Sequence, residues 1–159
     1  MIGRSKGRVR LCAALLCLNL LFIWGNSLMP GEVSAALSQW VKDLLAKLFS
    51  GGPGGEAGHG LLRKLAHFSE FALLGVLLSW LLGMLRGKAS FRPLLPGVTA
   101  ACLDEGIQLF VPGRAARLTD ILIDSGGVLV GMALFLLWLL IKVRKNKKNE
   151  NNMKPNGGK

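Results

Sequence analysis

Four long apolar runs leave this chain few ways to fold. The first extends from Val9 to Leu28, and between Leu11 and Gly25 its only polar side chain is Asn19. At 1.5 Å rise per residue, about 20 helical residues cross a hydrocarbon core about 30 Å thick. Three further runs cover about 62–85, 93–111 and 118–143. Half of the chain is hydrophobic and its mean hydropathy is +0.43, more apolar than the surface of a soluble domain permits. The expectation is an all-α polytopic membrane protein with four transmembrane helices and one amphipathic interfacial helix.

The net charge of +11 would suit nucleic acid if it were spread over a folded surface. Here the Lys and Arg flank the apolar runs, so a nucleic-acid partner is not expected. With four spans, the N-terminus, the 86–92 loop and the tail share one side. They carry four, three and seven of the 20 basic side chains. Cytoplasmic flanks are enriched in Lys and Arg, so both termini are expected in the cytoplasm of a multi-pass cell-membrane protein. Were the third run not a span, two strongly basic ends would face opposite sides. The competing reading of the first run is a secretory signal peptide ending near Val33-Ser34-Ala35. The run is long for that, and so is the stretch from Asn26 to Ala35. Cys12, Cys17 and Cys102 sit inside apolar runs with no zinc spacing and read as small apolar fillers.

Between the first two runs, Val33, Leu37, Trp40, Val41, Leu44, Leu45 and Leu48 recur at helical spacing, with Ser38, Gln39, Lys42, Asp43 and Lys47 opposite. That pattern over 33–49 predicts an amphipathic helix, either lying in the membrane interface or packed over the bundle. Residues 50–60 read as a Gly-rich linker with His59 solvated. Residues 1–8 form a basic cytoplasmic N-terminus, and 144–159 read as a disordered basic tail.

Five carboxylates interrupt the apolar runs: Glu70, Asp104, Glu105, Asp120 and Asp124. Each costs about 2.5–3.5 kcal/mol at a helix centre, so each must face the bundle, a cation or water. Counting from the outer ends of the spans, His67, Asp104, Glu105 and Asp124 all lie roughly 9–10 Å deep, Glu70 a little deeper and Gln108 and Asp120 nearer the surface. Lys64, His67 and Glu70 form one stripe, and Asp104–Gln108 and Asp120–Asp124 are pairs four apart on shared faces. Glu105 is turned about 100° from Asp104 and so addresses another helix. Arg63, Lys64, Arg114 and Arg117 stand at similar depth as counter-ions. The bland reading is an ionic lock that fixes helix packing. The functional reading is a polar pocket opening outward. Gly127 and Gly131, four apart with Gly126 beside them, predict a close helix contact.

His67-x-x-Glu70 has ligand spacing, but with one intramembrane histidine and cations nearby no metal and no cofactor is expected. His67 beside a carboxylate is a conceivable acid–base pair, yet Ser69 and Ser125 lack a nucleophile motif, so no catalytic residue is assigned.

Three segments carry a family resemblance: Lys64-x-x-His67-Phe68-x-Glu70-Phe71 with Leu74-Gly75; Asp104-Glu105-x-x-Gln108 running into Pro112-Gly113-Arg114; and Asp120-x-x-x-Asp124-x-x-Gly127-x-x-x-Gly131. In this order the chain resembles the VanZ family, membrane proteins linked to tolerance of glycopeptides such as teicoplanin. It departs from the family pattern at Phe71, where Tyr is frequent, and at Asp124, where Asn is common. The first change removes a hydroxyl and the second adds a charge.

The resemblance implies a role in antibiotic resistance and cell-envelope physiology. Combined with the outward site, it predicts a non-enzymatic protein over 9–143 that binds a lipid headgroup, a lipid-linked wall precursor or the glycopeptide itself. Lys64, Arg114 and Arg117 would hold anionic groups, and the acids, His67 and Gln108 would shape the pocket. Membrane lipids are the expected partners. The alternatives are an enzyme acting on a lipid or wall intermediate, and a small proton-linked transporter. The transporter would need a polar route to the inner face, where spans two to four are apolar.

Overall fold

The computed structural model describes residues 5–49 and 57–153. Five helices follow one another: α1 (Lys6–Ser27), α2 (Gly31–Phe49), α3 (Ala57–Arg86), α4 (Leu94–Gln108) and α5 (Leu118–Met153), with no strand among the described residues. The protein is all-α, as the apolar runs require. Segments Lys6–Ser27, Leu61–Arg86 and Leu118–Asn149 are each long and apolar enough to cross a membrane.

The third run departs from expectation. Its hydropathy predicts a span over 93–111, but α4 has 15 residues, about 22 Å of helix against a core of about 30 Å. Proline limits it at both ends. Pro93 and Pro96 lack N–H donors and suit only a first turn. Beyond Gln108 the chain turns toward Pro112 and Gly113, whose φ of +73° suits glycine.

The chain must nevertheless return across the bundle here. Phe68 meets Gly127, Ala72 meets Gly131 and Gly75 meets Val128, so α3 and α5 run side by side in the same direction. Residues 87–117 therefore climb from the end of α3 back to the level where α3 began. α1 is antiparallel to α3: the Cys12 thiol donates to the Leu77 carbonyl at 3.6 Å, and Asn26 bonds Glu70. Hence the start of α1 and the far part of α5 lie at one end of the bundle.

Two other expectations are corrected. The composition predicts a linker to residue 60, but α3 starts at Ala57, so His59 lies in a helical turn; residues 50–56 are outside the described part. The tail from 144 is helical to Met153, with 154–159 outside the described part. Lys, Asn and Glu are modest to good helix formers, and extending a helix already nucleated by a span needs no new nucleus.

One core cluster joins the helices: Ile23 of α1, Phe71, Leu74 and Leu78 of α3, Ala100 and Ala101 of α4, and Val128 and Met132 of α5. In lipid, such packing is driven by dispersion and close approach rather than by escape from water. A methyl added at Gly127 or Gly131 would overlap the Phe68 or Ala72 carbonyl, so these glycines set the α3–α5 separation.

α2 forms as its periodicity predicts. It packs on α3, and Gly31 N–H donates to the Pro112 carbonyl at 3.1 Å, tying its first turn to the α4–α5 loop. Ser34, Leu37, Ser38 and Val41 wall a cavity against α1 and α3, while Val33, Trp40 and Leu44 remain exposed. The helix thus caps the bundle with one face and leaves an apolar edge outward.

Candidate functional site

The polar residues of α1, α3, α4 and α5 converge at the end of the bundle where α2 lies. Asp104 is the centre. It is fully buried, accepts from the Ser27 hydroxyl at 2.6 Å and from Gln108 Nε2 at 2.9 Å, and faces His67 Nδ1 at 3.8 Å. The Asp104–Gln108 bond follows directly from their spacing of one helical turn. Gln108 in turn accepts from Arg63 Nη2 at 3.1 Å. Glu70 accepts from Asn26 Nδ2 at 3.0 Å with one oxygen, and its other oxygen is buried without a partner among the described residues.

Glu105 points away from Asp104, as its 100° offset requires, and accepts from the Arg117 backbone N–H at 2.8 Å. That bond satisfies a backbone donor at the start of α5 that has no acceptor within its own helix. Lys64 reaches Asp120 at 3.5 Å, with both side chains partly exposed. Asp124 is 2 % exposed and borders a small cavity with His67, Glu105 and Asp120.

The basic residues divide differently from the counter-ion expectation. Lys64 pairs with a carboxylate. Arg114 instead donates through Nε to the Met29 carbonyl at 3.1 Å and through Nη2 to the Asn26 carbonyl at 2.8 Å, closing the unsatisfied end of α1. Burial, with the Arg63 guanidinium nearby, pulls its pKa below the ordinary value, yet a guanidinium stays charged. The Arg117 residue is exposed and contributes its backbone N–H.

Asn26 and Ser27 belong to the site and carry no signal for it in the sequence, while Arg63, expected as a counter-ion, bonds Gln108 instead. Asn26-Ser27 reads as the polar boundary of an apolar run, and only the depth of the following turn shows that it reaches inward. A second cavity, about 390 Å³, adjoins the cluster and is bordered by Arg63, His67, Glu70 and Arg114 on its polar side and by Phe22, Leu62 and the α2 face on its apolar side.

These features define a class: an all-α membrane protein whose helices enclose a charged cluster at one end, beneath an amphipathic cap. The VanZ/LLP1 family model matches residues 11–140. The chain belongs to the VanZ/LLP1 family. No curated protein matches it, and no solved structure does.

Proposed function

We propose that this protein is a multi-pass protein of the cell membrane, with both termini cytoplasmic, whose outward pocket binds an anionic amphiphile of the envelope and so lowers susceptibility to glycopeptides of the teicoplanin type. The ligand is a lipid headgroup, a lipid-linked wall precursor or the glycopeptide itself, and the shared chemistry is an anionic oxygen presented beside apolar surface. The observation that carries the reading is Arg114. It borders the larger cavity, and its Nη1 is buried with no hydrogen-bond partner among the described residues. A buried guanidinium nitrogen without an acceptor is costly, and an anionic oxygen would satisfy it. Arg63 stands on the same cavity, and Phe22, Leu37 and Leu62 offer apolar wall for a tail. The orientation rests on the basic residues that flank the bundle end opposite the cluster.

The test is teicoplanin susceptibility of cells expressing the protein or its variants. The combined substitutions Asp104→Asn, Glu105→Gln and Asp120→Asn, and separately Arg114→Gln, are expected to abolish any protection at equal membrane abundance. Undiminished protection in both would end this reading.

A further inference from the structure

We infer that His67, Asp104 and Asp124 form a binding site for one divalent cation of the Zn²⁺ class. One donor atom from each lies within 4.8 Å of the other two, and the three residues come from α3, α4 and α5 respectively. A tetrahedral ion with bonds of about 2.0–2.2 Å needs donors about 3.4 Å apart, so side-chain rotation of about an ångström closes the set.

Proximity alone would not make a site, and two further observations point to a ligand. Asp124 is 2 % exposed, borders the smaller cavity and makes no hydrogen bond or ion pair among the described residues. His67 Nδ1 is buried without a hydrogen-bond partner, and its 3.8 Å to Asp104 is too long to be one. Both groups therefore have free donor capacity directed into a confined space. That space is a cavity of about 20 Å³, room for one water or ion, and Arg63 and Lys64 also border it.

The nearby cations do not serve these acids. Lys64 is paired with Asp120, Arg63 with Gln108, and Arg114 with the carbonyls at the end of α1. Two buried carboxylates with no cation partner are unfavourable, and a divalent cation with a neutral imidazole makes the set electrically neutral. Asp104 has lone pairs to spare after its bonds from Ser27 and Gln108. Those two residues would hold the ligating carboxylate in place, the usual support for a metal-binding acid. One nitrogen and two carboxylates favour a borderline ion such as Zn²⁺ over Mg²⁺ or Ca²⁺, which take oxygen donors. Three protein ligands leave a fourth position, and of the three His67 and Asp124 border the small cavity.

The inference stands apart from the envelope-ligand reading, because its readout is metal content and not cell susceptibility. The full chain, carrying no histidine tag, is purified in detergent, stripped with a chelator and dialysed against ZnCl₂. One Zn²⁺ per chain is expected, with affinity at least tenfold weaker in His67→Gln and in Asp124→Asn and unchanged in Lys88→Gln, at the other end of the bundle. MgCl₂ at equal concentration is expected not to compete. Absence of stoichiometric Zn²⁺, or equal affinity in folded His67→Gln and Asp124→Asn, overturns the site. Where a variant does not fold, Co²⁺ titration of the unaltered chain decides. A visible absorption band rising to a break at one equivalent supports the site, and a spectrum unchanged from aqueous Co²⁺ overturns it.

Discussion

Ser27, in the last turn of α1, donates its hydroxyl to Asp104 of α4 across 77 residues of sequence at 2.6 Å, with both side chains fully buried. Hydrogen bonds to charged groups contribute about 1.5–3 kcal/mol in soluble proteins, while side-chain bonds inside membrane bundles average about 0.6 kcal/mol. Ser27→Ala is expected to lower stability by about 1 kcal/mol in unfolding from detergent micelles. A double-mutant cycle with Asp104→Asn should give a coupling of at least about 0.5 kcal/mol. Additive effects would mean that the contact does not tie α1 to α4.

The glycines of α5 are not equivalent. A methyl at Gly131 would overlap the Ala72 carbonyl, whereas at Gly126 it would meet only the edge of the Phe68 ring at 3.8 Å. Gly131→Ala is therefore expected to destabilise by about 2 kcal/mol or more, as overpacking does. Gly126→Ala should be neutral or stabilising by up to about 1 kcal/mol through helix propensity. Thermal melting of the two variants side by side checks the ordering, and a reversed order would contradict the α3–α5 packing.

The Lys64–Asp120 pair is partly exposed on both sides. Such pairs are worth about 0–1 kcal/mol and are screened by salt. Lys64→Gln should shift the melting temperature by no more than a degree or two, with any shift shrinking in high salt. A large loss would mean that Lys64 holds more than this one carboxylate.

Orientation is open to direct chemical mapping. In a background with Cys12, Cys17 and Cys102 replaced by Ala, a membrane-impermeant thiol reagent applied to intact cells should label Gln39→Cys and Ala115→Cys. It should leave Lys88→Cys and Lys147→Cys unlabelled until the cells are opened. The opposite pattern would place the charged cluster on the cytoplasmic side.

Much of this arrangement was legible in the chain. Helical phase alone pairs Asp104 with Gln108, which the structure shows, and turns Glu105 away from Asp104; its partner is the Arg117 N–H in the loop just before α5. Depth counting brought His67, Asp104 and Asp124 to one level, and their donors do meet. The role of Arg114 was not legible, because its acceptors are the backbone carbonyls of Asn26 and Met29, which leave no trace in a pattern of side chains. Asn26 and Ser27 are illegible for a related reason. A polar pair at the end of an apolar run has the same signature whether it meets headgroups or turns inward. The short α4 was overdrawn because hydropathy does not register where prolines stop a helix.

The side-by-side course of α3 and α5 bears on biogenesis. As the chain leaves the ribosome, α3 can enter the bilayer unaided, but α4 is brief and carries two acids with α5 not yet made. Glu105 finds its donor only in the Arg117 N–H, at the threshold of α5. A nascent chain halted before Arg117 should therefore leave α4 outside the bilayer, and α4 should settle only as α5 is threaded. The last helix would then act as an intramolecular chaperone for the one before it.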